Sequence, residues 1–220
     1  MNFIGHHEIA KAYNPQANVD FLFGSVMSDF GRMSGTRRFL HMVNNPDLKE
    51  GIRFHNITNR TFDSIPVIEH IEDQLKESFL QFLPKNTAIQ ASRAGKDLLF
   101  DGIFMKNNQA LEGIATTIDA ALTTKIDLSG INDPSPLLDK LKLISEHGPI
   151  RYDLPEIVCN ALFKVLSRTR TPIHEDYLLQ TTTILERIQP LVFAVGTYAI
   201  DQTISALRSP QANLYAANKS

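Results

Sequence analysis

Three residues in the stretch GIRFHNITNRTFDSIP (51–66) are spaced one helical turn apart: His55, Asn59 and Asp63. At about 100° per residue they drift slowly around a helix and share one broad face. A second series, Arg93, Asp97 and Asp101, lies in SRAGKDLLFDGIF (92–104), where Asp101 is enclosed by Leu98, Leu99, Phe100, Ile103 and Phe104. Asp29 sits in the apolar run FGSVMSDFG. A carboxylate in such surroundings is costly to bury unless it is paired or bound to a metal. His6 and His7 are adjacent, so only one of them can point squarely into a shared site. Histidines and aspartates drawn from several helices suit a divalent cation, Mn²⁺ or Mg²⁺ first, with Fe or Zn as further candidates. Each residue also has a plainer role open to it. His6 can be a satisfied core histidine, and Asp29 a helix-end carboxylate in reach of water. Asp63 can help cap the next helix, and Arg93 with Asp97 can form a surface salt bridge worth about a few tenths of a kcal/mol.

Helices must position these groups, because helical periodicity runs from end to end and alternating strand patterns are missing. Asn45 with Pro46 starts one helix as cap and first residue. Another starts at Ser64-Ile65-Pro66, steps through Val67, Ile71, Leu75, Ser78 or Phe79, and Phe82, and ends at Pro84. Runs at 87–105 and 108–124 follow, then a loop at 125–136 rich in Gly, Asp, Asn, Ser and Pro. A short helix near 136–147 precedes one in which Asp153 and Glu156 form a capping box. Its buried stripe is Ile157, Val158, Ala161, Leu162, Val165 and Leu166. The last helix spans about 173–207, kinked at Pro190. The expectation is an all-α protein of about eight or nine helices, a single domain over 1–207 with a frayed tail at 208–220.

Composition excludes several classes. Net charge is −2 with both signs scattered, so no basic footprint points to nucleic acid. No apolar stretch approaches a membrane span. The N-terminal MNFIGHHEIAKAY interrupts what a signal peptide would need, and the chain reads as cytoplasmic. The single cysteine, Cys159, forms no internal disulfide and reads as a packed core thiol. A phosphate-binding glycine loop, HExxH and G-x-S-x-G are all missing. RTRTPIHED (168–176) could grip a phosphate or an acidic partner, or be an exposed helix start of mixed charge. His41 and His70 read as surface residues and His147 as a turn residue.

The segments MNFIGHHEIA, FLFGSVMSDFG, GIRFHNITNRTFDSIPVI and LLFDGIF stand in the order and approximate spacing of motifs in the acyl carrier protein phosphodiesterase family, over about the first 105 residues. The chain resembles that family, an all-α relative of the HD-domain metal-dependent phosphohydrolases. The resemblance implies a hydrolase in which His6, Asp29, His55 and Asp101, with Asn59, hold one or two divalent ions. Asp63 or Asp97 would serve as general base or orient the ligands, and Arg93 would meet a phosphate. The implied substrate is a phosphopantetheinylated carrier protein, or a small molecule if the substrate has diverged. Asn59 stands where the family usually has aspartate, Asn56 where it has arginine, and Ile65 and Gly102 where it has histidine. Those departures keep a second reading open: a metal-free helical protein that binds a ligand or partner on the same scaffold.

Overall fold

The computed structural model describes residues 1–34, 43–124, 128, 131, 133–148, 151–167 and 174–209. Its described elements are helical: α1 (Phe3–Tyr13), α2 (Val19–Ser34), α3 (Pro46–Asp63), α4 (Pro66–Phe79), α5 (Lys85–Phe104), α6 (Asn108–Thr123), α7 (Ser135–His147), α8 (Pro155–Leu166) and α9 (Leu178–Leu207), with a 3-10 turn at Glu175–Tyr177 ahead of α9. The all-α expectation of eight or nine helices is met. None of the described helices is long and apolar enough to cross a membrane.

The chain divides into two compact units, each assembled from separated stretches. One, the histidine unit, comprises residues 2–61, 107–150 and 201–220; the other, the lysine unit, comprises Met1, 62–106 and 151–200. In the histidine unit α1, α2, α6 and α7 pack together around Phe3, Ile4, Phe23, Met27, Phe30, Ile114, Ile118 and Leu141, all essentially inaccessible to water. Phe3 and Phe30 stack with ring centres 5.0 Å apart. In the lysine unit α5 packs on α4 and on α8, and Phe62 meets Phe100 edge-on at 4.9 Å.

Local chemistry explains where the helices begin. Asn18 Oδ1 accepts from the Phe21 amide at the head of α2 at 2.9 Å, while its amide donates to Asp47 on α3 at 2.6 Å. Asn45 does the reverse. Its Oδ1 accepts from the amides of Asp47 and Leu48 at 2.9 and 3.1 Å, and its amide donates to Asp20 on α2 at 2.7 Å. The two caps thus satisfy orphan helix-start donors and tie α2 to α3 at one end. Asn107 caps α6, accepting from the Gln109 amide at 3.0 Å.

Four local expectations shift. Pro84 does not end α4; that helix stops at Phe79, and Pro84 is the residue before α5. Ile68 rather than Val67 joins Ile71, Leu75, Ser78 and Phe79 on the buried face of α4. The Asp153–Glu156 capping box is absent, since Leu154 occupies the cap position and Asp153 accepts from Arg151 instead, at 2.8 and 2.6 Å. On α8 the buried stripe is Val158, Cys159, Leu162 and Leu166, leaving Val165 exposed. His41, residues 125–127, 129, 130 and 132 of the loop, residues 168–173 of RTRTPIHED and the tail from 210 lie outside the described residues.

Candidate metal centre

Close approach of two helix backbones sets the site. A Cβ on Gly24 of α2 would lie 2.4 Å from the Leu48 carbonyl oxygen, and one on Gly51 of α3 would lie 2.2 Å from that of Phe21. Only glycines permit this crossing. It brings the Ser25 carbonyl within 2.9 Å of His55 Nδ1, one turn beyond Gly51. Asp29 lies one turn beyond Ser25, and its Oδ2 is 3.8 Å from that same His55 nitrogen. From α1, His6 Nδ1 meets Asp29 Oδ2 at 2.7 Å. The His6 and His55 rings lie 4.0 Å apart between centres.

Among the described residues, His6, Asp29 and His55 form a group whose donor atoms lie within 4.8 Å of one another and which can hold a metal ion. Their exposures are 1, 1 and 2%. The Ser25 carbonyl accepts from His55 Nδ1–H and so fixes which ring nitrogen carries the proton, leaving Nε2 as the lone-pair nitrogen. Asn59, one turn past His55 and half-buried, bridges the Nε2 atoms of the two rings. Its Nδ2 is 3.0 Å from His55 Nε2 and its Oδ1 3.0 Å from His6 Nε2. His6 thus faces the amide oxygen of Asn59 at Nε2 and the carboxylate of Asp29 at Nδ1.

His7 turns away, as adjacency demands. Its Nε2 lies 2.9 Å from Thr117 Oγ on α6 and its Nδ1 3.0 Å from Glu8 Oε1. A Cβ on Gly113 would come within 3.2 Å of its ring.

Asp63, Asp97, Arg93 and Asp101 belong to the lysine unit. There a residue that sequence reasoning passed over takes the centre. Lys96 is 2% exposed, with Nζ 2.6 Å from Asp63 Oδ1, 2.9 Å from Glu72 Oε2 and 3.7 Å from Asp97 Oδ1. Burial alone would pull its pKa down, but the charges of Asp97 and Asp63, with hydrogen bonds to Asp63 and Glu72, outweigh it and hold it above the usual lysine value. Asp97 also pairs with the Met1 amine. Arg93 reaches Glu72 at 3.1 Å rather than Asp97. Asp101 is wholly buried. Beside it Gly102 has no room for any side chain, because a Cβ there would sit 2.4 Å from the Tyr152 carbonyl oxygen. One hint to Lys96 was present in the sequence: it is flanked by Gly95 and by the apolar run Leu98-Leu99-Phe100 on a helix with small residues at Ala91 and Ser92. Cys159 is buried as expected; burial pushes its thiol pKa up, and its Sγ lies 3.5 Å from the Leu178 carbonyl.

Comparison with protein-family models, with curated proteins and with solved structures gives no match to this chain.

Proposed function

We propose that this chain is a metal-dependent hydrolase whose ion is held by His6, Asp29 and His55. The observation that carries the reading is their convergence from three helices around a glycine-set crossing, with His55 anchored by a backbone carbonyl. A carbonyl or carboxylate behind each ligating imidazole is how proteins orient metal-binding histidines. Ser25 supplies it for His55, while Asp29, 2.7 Å from His6, is the carboxylate of the group itself. The donor set fits an ion: two imidazole nitrogens and one carboxylate favour Mn²⁺, Fe²⁺ or Zn²⁺ over Mg²⁺, which prefers oxygen. When bound, such an ion lowers the pKa of a water and polarises a phosphoryl oxygen. The chain's own residues supply orientation. The Gly24–Gly51 crossing fixes Ser25 against His55, and the tight burial keeps bulk water from the imidazoles. The motif resemblance supports a phosphodiester substrate, with a phosphopantetheinylated carrier protein as the first to try and a diverged small molecule as the alternative.

The second reading, a metal-free ligand- or partner-binding protein, is favoured by Asn59, whose amide meets both imidazoles without an ion. Thermal melting with Mn²⁺, Fe²⁺ or Zn²⁺ added to chelator-treated protein separates the two. A raised midpoint with at least one ion supports the metal reading, whereas no shift with any supports the metal-free one. Incubation with holo acyl carrier protein then tests the substrate: loss of the phosphopantetheine mass supports the carrier-protein reaction, and an unchanged carrier mass removes it.

A further inference from the structure

Asn59 spans the two imidazoles in a way that an ion between them cannot share. Its Nδ2 faces His55 Nε2 and its Oδ1 faces His6 Nε2, each at 3.0 Å. A primary amide has one donating end and one accepting end, so this bridge requires one Nε2 to bear a proton and the other to bear a lone pair. A metal ion requires a lone pair at each nitrogen that ligates it. With Nδ1 of His55 on the Ser25 carbonyl, Nε2 is the nitrogen through which His55 can ligate an ion, and the Asn59 amide donates to that nitrogen. Asn59 is half-buried, while His6, Asp29 and His55 are 1, 1 and 2% exposed, so the amide is the member of the cluster that reaches toward solvent.

We propose that Asn59 is a built-in competitor for the metal: its side chain closes the His6–His55 pair in the ion-free protein and must swing away for an ion to bind. This rests on the metal-binding reading of the same residues. The amide contributes two hydrogen bonds to the ion-free state that are lost on loading, so it weakens the measured affinity without being a ligand. Its position at one turn past His55 on the same helix makes the swing a side-chain rotation that leaves the α3 backbone in place.

The test is a calorimetric titration of chelator-stripped full-length protein with MnCl₂, in the wild type, Asn59→Ala and Asn59→Asp, alongside the ion-free melting temperature of each. Asn59→Ala removes both bridging contacts. Asn59→Asp removes the donor to His55 and adds an anionic acceptor, and it serves if the alanine variant does not fold. The expected result is Mn²⁺ bound about tenfold more tightly by Asn59→Ala than by the wild type, with a lower ion-free melting temperature, since the variant loses both hydrogen bonds of the bridge. Asn59→Asp is expected to bind more tightly still. Mn²⁺ binding to the wild type that is equal or stronger than to Asn59→Ala overturns the competitor role alone, as does an unchanged ion-free melting temperature. Absence of Mn²⁺ binding in all three proteins overturns the metal reading beneath it.

Discussion

Each unit of the molecule buries a nitrogen base among polar partners, and the two do so in opposite ways. In the lysine unit Lys96 sits against Asp63, Glu72 and Asp97. Its ammonium is already the cation that those carboxylates need, and as a donor of three hydrogens it has no lone pair to offer. In the histidine unit one carboxylate, Asp29, serves two imidazoles, and a neutral amide bridges their Nε2 atoms. Imidazoles differ from an ammonium in that each ring nitrogen without a proton carries a lone pair. One cluster is closed by its own cation; the other, on the reading proposed above, exchanges an amide for an ion. The Lys96 contacts also bear on Asp63 and Asp97, which the resemblance casts as general base or orienting residue: both hold Lys96, so any proton-transfer role must operate from within an ion pair.

The largest effect is expected from Lys96→Met. It leaves the three carboxylates without their central cation and is expected to lower unfolding stability by about 3 kcal/mol, a value tempered by the exposure of Asp63. Urea denaturation reads it, and ion binding by the histidine unit is expected to be retained. Asp29→Asn keeps the size of the side chain and removes its charge. It is expected to cost about 1–3 kcal/mol in the same assay and to abolish Mn²⁺ binding by calorimetry. Retained binding would take Asp29 out of the ligand set. Gly24→Ala is expected to cost about 1–3 kcal/mol by forcing α2 and α3 apart, with loss of the Ser25–His55 hydrogen bond visible in the histidine NMR signals. The smallest effect concerns Asp153. The hydrogen bonds from Arg151 hold its carboxyl below the usual value of 3.8, so the stability it adds is present above that pH and is lost as pH falls through the lower folded value. Asp153→Asn is expected to flatten that part of the acid-side unfolding curve and leave neutral stability little changed.

Much of the helical frame was legible from local signals. Asn45-Pro46 starts α3 as its residue types dictate, because capping depends on neighbours within a turn. His6, Asp29 and His55 could be singled out because a carboxylate in an apolar run and a histidine on a helical face each need a partner. What joins them was not legible. The Gly24–Gly51 approach is a tertiary contact, and a helical glycine alone does not say which backbone it meets. Asn59 could be flagged as an unusual residue, but its bridging of two rings is visible only with both histidines in place. Lys96 was missed because lysine is ordinarily a solvated residue. The Asp153–Glu156 pattern misled because Arg151, two residues before Asp153, offers a charged donor that a backbone amide does not match. The division into two units from interleaved stretches leaves no linker in the sequence to mark it.

Elemental analysis of protein purified without chelator addresses the central claim most directly, applied to the wild type, Lys96→Met and His55→Ala. A transition metal is expected at about one ion per chain or a substantial fraction of it in the wild type and in Lys96→Met, and none in His55→Ala. A wild type without metal that also takes up none when offered Mn²⁺, Fe²⁺ or Zn²⁺, or equal metal in His55→Ala, would contradict that claim.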